Sequence, residues 1–245
     1  MKTCYNINKL IRNVADRILY PDNPICCICK KTMLHENQIY CEKCKDKLTY
    51  TKTNKNLYNN KKSHSVYDND INIYKGHSLW YYDKISKRII NQIKNKGFEN
   101  LCIKLGQLMY EETKDMDFIN DTEIIIPVPL HKDKRKIRGY NQSYLISKGF
   151  NQKANKKLKR NILIKTKPTA DQKSLDKKRR QTNLTNAFEV RNKNEIFNKK
   201  ILLIDDVLTT GATINLLRKI LINNGASEVY FLTLATTKPL IKETR

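Results

Sequence analysis

The sequence lacks any apolar run that could cross a membrane, and its first residues lack the features of an exported precursor. No stretch approaches the roughly 20 consecutive apolar residues that a membrane-spanning helix requires. The N-terminus has neither an apolar core segment nor a small-residue cleavage site, so the sequence predicts no signal peptide. We therefore expect a cytoplasmic protein without a transmembrane segment, with peripheral association at the inner membrane face left open.

Acidic residues are also scarce. Asp and Glu number 24 against 48 Lys and Arg, which gives a formal net charge of +24. Such an excess favours polyanionic partners: nucleic acid, phosphorylated metabolites or an anionic membrane surface. Codon bias in an AT-rich genome is the alternative, because the chain is rich in Lys, Asn and Ile. The charge is nevertheless concentrated: residues 130–160 hold eleven basic side chains against one acid, and residues 165–180 hold seven against two.

Cysteine is too unevenly placed for a ladder of disulfides. Six of the seven cysteines lie in the first 44 residues, where Cys26-x-x-Cys29 and Cys41-x-x-Cys44 are separated by eleven residues. Each pair can close a tight turn, and four thiolates in a tetrahedron suit a structural Zn²⁺. A redox dithiol pair is the alternative. The spacing predicts a zinc site formed by Cys26, Cys29, Cys41 and Cys44.

Composition and periodicity divide the chain into three parts. Residues 1–48 combine a helix that is apolar on one face with the four-cysteine module, and residues 49–72 form a polar linker rich in Asn, Lys and Ser. Residues 73–245 alternate apolar strands with helices, which predicts an α/β fold with a mostly parallel sheet flanked by helices. Within that part we expect a basic loop after residue 130 and a helix over 140–158.

The most informative motif is Ile201-Leu-Leu-Ile-Asp-Asp-Val-Leu-Thr-Thr-Gly-Ala-Thr213. A buried strand is followed by two carboxylates, a short loop and a helix, and the free N–H groups of a helix start attract an anion. Asp205 and Asp206 suit a ribose diol or a bridging Mg²⁺. An ordinary strand–helix turn is the alternative. The candidate phosphate-binding residues are Thr209, Thr210, Gly211, Ala212 and Thr213.

This motif resembles the site for phosphoribosyl pyrophosphate (PRPP) in the type I phosphoribosyltransferases. Together with Pro127-Val-Pro-Leu-His131, Arg138-Gly-Tyr-Asn-Gln142 and Arg180-x-x-Asn183, it makes the chain similar to the ComF family. The resemblance implies a phosphoribosyltransferase-like domain behind a four-cysteine zinc finger, with structural Zn²⁺, and PRPP bound with Mg²⁺. It also implies uptake and handling of single-stranded transforming DNA during natural competence, with a competence helicase and other DNA-uptake proteins as partners.

The basic residues around the motif carry two interpretations. Arg138 suits bidentate contact with pyrophosphate, and Arg180 can close over the ligand from the polar loop at 165–182. Tyr140, beside Arg138, is a candidate for stacking on a base. The candidate nucleic-acid contacts in the basic loop are Lys132, Lys134, Arg135 and Lys136, for which a merely solvated loop is the alternative.

No residue obviously activates a nucleobase acceptor, so catalytic residues cannot be named and enzymatic activity is left open. Three functions remain. The first is a DNA-uptake protein with a PRPP site. The second is a salvage phosphoribosyltransferase acting on a free base, and the third is a PRPP-sensing regulator that binds nucleic acid. The cysteine module and the basic stretches favour the first.

Overall fold

The computed structural model describes residues 25–32, 34, 38–51, 75–167 and 187–237. The expected N-terminal helix, most of the polar linker, and Arg180 with most of its loop lie outside the described residues. The chain divides into two compact units, Met1–Lys47 and Leu48–Arg245. No helix among the described residues is both long enough and apolar enough to span a membrane.

The second unit is an α/β domain, as the alternation of strands and helices predicted. One five-stranded sheet has the order β1-β7-β6-β2-β3 with every pair parallel, and β4 and β5 form a separate antiparallel hairpin. The hydrophobic core of this unit lies along the central strands of the sheet, since the inner residues of β6 are almost fully buried. The strands are β1 Gly76–Tyr81, β2 Ile124–Pro127, β3 Lys157–Leu158, β4 Leu163–Lys165, β5 Phe188–Val190, β6 Lys200–Leu208 and β7 Glu228–Thr236.

Helices flank the sheet, and the starts of two helices, Gln142–Ala154 and Ala212–Asn223, contribute to the site described below. In chain order the helices are α1 Glu42–Lys45 in the first unit, then α2 Lys84–Gln92, α3 Glu99–Thr113, α4 Asp117–Asp121, α5 Lys132–Arg138, α6 Gln142–Ala154 and α7 Ala212–Asn223. Helix α2 begins with a capping box in which Asp83 accepts from the Ser86 N–H and the Ser86 hydroxyl accepts from the Asp83 N–H. Helix α6 ends at Asn155, whose left-handed backbone stops the helix.

Helices α3 and α6 touch backbone to backbone through two glycines. A methyl group added at Gly106 would lie 2.0 Å from the carbonyl oxygen of Ile146, and one at Gly149 would lie 1.9 Å from that of Ile103. Only glycine permits such an approach, because any side chain would force the two helices apart. This contact fixes α6, whose first turn supplies two side chains to the site.

The structure differs from the sequence-based expectations at four places. The helix expected over 140–158 spans only Gln142–Ala154, because Asn155 ends it, and residues 157–158 form β3. The basic segment after residue 130 is a helix, α5, because His131 Nδ1 accepts the N–H of Asp133 at 3.3 Å and Gly139 ends the helix with a φ of 83°. Strand β6 continues through the two aspartates to Leu208, since its pairing with β7 extends that far. The first residues of the predicted linker lie against β1, where the Thr51 N–H donates to Leu79.

Candidate functional site

Two carboxylates near the carboxyl end of β6 are held by the first turn of α6. The Oδ1 atom of Asp205 accepts from the Ser143 hydroxyl at 2.7 Å and from the Asp206 N–H at 2.9 Å. The Oδ2 atom of Asp206 accepts from Gln142 Nε2 at 3.3 Å and lies 3.6 Å from Lys94 Nζ. The pair is therefore fixed by three side chains that are distant from it in sequence.

Asn141 explains why α6 starts at this point. Its side-chain oxygen accepts the N–H of Ser143 at 3.0 Å, and its Nδ2 donates to the carbonyl of Val128 at 3.0 Å. Val128 follows β2, and its own N–H donates to Ile204 on β6 at 2.9 Å. A single asparagine thus caps α6 and ties the cap to the strand edge that carries the aspartates.

The environment of the pair disfavours two negative charges. Burial, and then repulsion from Asp206, raises the pKa of Asp205 to about 7, although the Ser143 hydroxyl, the Asp206 N–H and Lys94 act in the opposite direction. A proton or a cation relieves the repulsion between the two carboxylates. Carboxylate oxygens are suitable ligands for a hard divalent cation.

One lysine contacts the carboxylate pair, and lysines from neighbouring elements lie close by. Lys94 and Lys96 come from the turn between α2 and α3, and the Lys96 side chain lies against Gly139 at the end of α5. On the hairpin, the Nζ atom of Lys165 lies 5.4 Å from the centre of the Phe188 ring. Burial, and then the neighbouring Lys134, lowers the pKa of Lys165, while Asp205 opposes this effect. An anion with a bound cation matches this arrangement of charges.

The loop after β6 has the geometry of an anion cradle. Thr209 and Thr210 are exposed, and Gly211 adopts a φ of 79°, a conformation that glycine tolerates best. Helix α7 begins at Ala212, whose N–H donates to the Thr210 hydroxyl at 3.3 Å, and a glycine N-cap leaves the helix start uncovered by a capping side chain. Thr237 fixes the loop by donating to the carbonyls of Leu208 and Thr209 at 3.0 and 3.1 Å.

The basic residues predicted to contact nucleic acid all lie on α5. Every one of these side chains is exposed, and Arg138 in the last turn is partly buried. The exposed residues are Lys132, Lys134, Arg135 and Lys136.

Tyr140 requires a correction. Only 8% of this residue is exposed, and its hydroxyl donates to the carbonyls of Ile93 and Asn95 at 3.0 and 2.6 Å. The ring packs behind the site, and burial raises the pKa of its hydroxyl. It is therefore closed to a stacking base, and Tyr140 instead anchors the turn that carries Lys94 and Lys96.

Sequence reasoning missed Lys94 and Ser143, and it named Gln142 only as the last residue of the Arg138–Gln142 motif. A signal existed for Ser143 and Gln142, since both follow Asn141, and asparagine is a preferred helix cap. Lys94 had no such signal, because one lysine among 48 basic residues cannot be singled out before the fold is known.

The four paired cysteines converge in the first unit. Their sulfur atoms all lie within 4.8 Å of one another, and a ZnS₄ tetrahedron with bonds of about 2.3 Å has edges of about 3.8 Å. The Cys41 N–H donates to Cys26 Sγ at 3.4 Å, and backbone N–H groups of Lys31 and Thr32 lower the pKa of Cys29 to about 6. Lys30, directly after Cys29, adopts a φ of 60°, so the chain turns just after the first pair of cysteines. These four residues can hold a metal ion and fit a zinc-finger module.

A parallel sheet with an acidic strand end, followed by a Thr-Thr-Gly loop and a helix start, defines a phosphoribosyltransferase-type domain. Consistent with this, residues 144–243 match the model of the phosphoribosyl transferase domain family. Curated relatives narrow the class, and the chain belongs to the ComF family, as its motifs predicted.

Three of these relatives show the extent of the similarity. Competence protein F of Haemophilus influenzae is 36% identical over 129 residues, which cover 51% of this chain and 56% of that protein. DNA utilization protein YhgH of Escherichia coli is 33% identical over 152 residues, covering 61% and 66%. Competence protein ComFC of Bacillus subtilis is 25% identical over 149 residues, covering 60% and 58%. The matched part thus spans a little over half of Competence protein F.

Proposed function

We propose that this protein binds PRPP with Mg²⁺ at the carboxyl edge of its sheet and handles single-stranded DNA during DNA uptake, alongside a competence helicase. The observation that carries the proposal is the carboxylate pair held by the first turn of α6, the helix that follows the exposed basic helix α5 along the chain. The names of the relatives, which refer to competence and DNA utilization, support the second half. The four-cysteine module takes a structural role with Zn²⁺, as a unit separate from the phosphoribosyltransferase-like domain.

In the first half of the proposal, the oxygens of Asp205 and Asp206 hold Mg²⁺ or the ribose hydroxyls, and residues 209–213 receive the phosphate. Bound Mg²⁺ neutralises part of the pyrophosphate charge. Arg138 and Arg180 are proposed to contact the pyrophosphate, with Arg180 approaching from the loop outside the described residues. The pair fits this use, because burial and then repulsion from Asp206 disfavour the charged form of Asp205, and a divalent cation relieves that repulsion.

Calorimetry with PRPP and Mg²⁺ tests this half. We expect the double substitution Asp205→Asn/Asp206→Asn to weaken PRPP binding clearly, and chelation of Mg²⁺ to weaken binding to the parent protein. A matched control, Asp115→Asn/Asp117→Asn, removes the same charge from two exposed positions and should retain the parent affinity. Parent-like affinity in the Asp205/Asp206 variant would show that these carboxylates do not bind the ligand.

The second half rests on charge. Each phosphate that a lysine or arginine contacts on a single strand contributes about −0.7 to the slope of log affinity against log salt. Four exposed basic side chains on α5 should therefore give a steep slope and little preference among sequences.

Alanine substitution of Lys132, Lys134, Arg135 and Lys136 tests this half by measuring oligonucleotide affinity at two salt concentrations. The slope should flatten, and binding to every sequence should weaken alike. Four Lys→Ala changes within residues 45–62 are the control, because they remove the same charge elsewhere. If both variants lose the same affinity, the charge of α5 has no special role and the DNA half of the proposal fails.

A further inference from the structure

Helix α5 carries its basic side chains on two different faces. Successive residues of a helix are about 100° apart, so Lys134 and Arg138 share one face while Lys132 and Lys136 share another. Lys134 is close enough to Lys165 to affect its ionisation, and Lys165 in turn lies within electrostatic reach of Asp205. Of the two faces, the one that carries Lys134 is therefore the nearer to Lys165 on the β4–β5 hairpin.

The topology independently brings α5 to the same place. The Val128 N–H donates to Ile204, the residue before Asp205, and α5 starts four residues after Val128. The end of α5 packs against the turn that carries Lys96, and Lys94 on the same turn contacts Asp206. The basic side chains on the elements linked in this way are here called the basic rim: Lys94, Lys96, Lys134, Arg138 and Lys165.

We propose that Mg²⁺–PRPP and single-stranded polynucleotide compete for the basic rim, so that filling the phosphoribosyl site releases DNA from the face of α5 nearest to it. This inference rests on the proposed function, since it requires both ligands to bind. Two polyanions cannot both neutralise the same ammonium groups, and placing them side by side adds repulsion between like charges. Because linkage is reciprocal, each ligand must weaken the other by the same factor.

The size of the effect follows from the number of shared cations. If PRPP removes Lys134 and Lys165 from the oligonucleotide, two phosphate contacts are lost and the salt slope becomes less steep by about 1.4. At 0.1 M salt this corresponds to a loss of oligonucleotide affinity of about 25-fold. The outward residues Lys132 and Lys136 retain their contacts, so binding is weakened rather than abolished.

The experiment measures both directions on the full chain at fixed free Mg²⁺. Fluorescence anisotropy follows a labelled single-stranded 20-mer with and without saturating PRPP, and calorimetry follows PRPP with and without saturating 20-mer. We expect equal factors in both directions and a flatter salt slope with PRPP. Oligonucleotide affinity that PRPP leaves unchanged or increases would overturn the inference. Failure of the parent protein to bind either ligand alone would instead refute the proposed function itself.

Two single substitutions separate competition at the rim from a general charge effect. Lys134→Ala and Lys136→Ala remove one exposed lysine each from the same helix, on different faces. Lys136→Ala should weaken oligonucleotide binding but keep the parent coupling factor, whereas Lys134→Ala should reduce that factor about fivefold, since one shared contact is lost. Equal coupling factors in the two variants would contradict competition at the rim.

Discussion

Replacing Asp205 with asparagine should stabilise the ligand-free protein while it weakens PRPP binding. In the folded protein, burial and the neighbouring Asp206 raise the pKa of Asp205 from 3.8 to about 7. The charged form is thus less favourable in the folded state than in the unfolded chain. An asparagine removes this charge, and its side-chain oxygen can still accept the bond from Ser143.

The sign and the pH window follow from linkage. Between pH 4 and pH 7 the folded state binds more protons at this position than the unfolded chain does, so the parent protein loses stability as the pH rises through this window. The difference between a pKa of 3.8 and a pKa of about 7 means that folding disfavours the charged form of Asp205 by about 4 kcal/mol, as an upper limit. At pH 8 we therefore expect Asp205→Asn to raise the free energy of unfolding by about 2 to 4 kcal/mol, or the melting temperature by about 5 to 10 °C.

Urea unfolding and thermal melting at pH 5 and pH 8, without ligand or divalent cation, measure the effect. The advantage of Asp205→Asn should be largest at pH 8 and shrink at pH 5. Asp115→Asn serves as the control, because it removes an exposed carboxylate and should leave stability almost unchanged. Parallel pH profiles for the parent and Asp205→Asn, or a less stable variant at pH 8, would refute this account of the pair.

Three further predictions concern the parts that support the site. Elemental analysis should find one zinc per chain, lost in Cys41→Ser/Cys44→Ser; absent zinc, or full zinc in that variant, would contradict the metal assignment. Gly149→Ala should lower the free energy of unfolding by about 2 kcal/mol, because its methyl group would meet the Ile103 carbonyl, whereas Lys148→Ala at an exposed position of the same helix should change it little in the same urea titration. Ser143→Ala should weaken PRPP binding in calorimetry and Ser143→Thr should restore part of it; equal affinities for the two variants would exclude a role for the hydroxyl.

The parts of the site that are contiguous in sequence could be predicted without a structure. Strand β6, the Asp205-Asp206 pair, the Thr-Thr-Gly loop and the start of α7 follow one another directly, so residue order alone specified the arrangement. The same holds for the cysteines, since the short spacing within each pair limits how far their sulfur atoms can separate. In both cases local geometry left few alternatives.

Contacts between distant segments could not be predicted in this way. Lys94 contacts Asp206 from a turn that Tyr140 holds by a hydrogen bond to Asn95, and Lys165 belongs to strand β4, which pairs with β5. Helix α5 was mistaken for a loop because its charged sequence shows no apolar periodicity, and its helical state depends on a His131 cap and on Gly139. Tyr140 was wrongly expected to be open to a stacking base, because its hydrogen-bond partners are two carbonyls more than forty residues away in sequence.

The site contains a group of neighbouring carboxylates and a group of neighbouring ammonium groups, and within each group the like charges repel. Burial raises the pKa of Asp205 and lowers that of Lys165, and repulsion from Asp206 and from Lys134 adds to these two shifts. Without a ligand, ion pairs such as that between Lys94 and Asp206 offset only part of this repulsion. A ligand that brings a cation to the carboxylates and phosphates to the lysines relieves both repulsions at once. A bare polynucleotide relieves only the second, and this difference would allow a small phosphorylated sugar to displace a much larger polyanion from the same edge of the sheet.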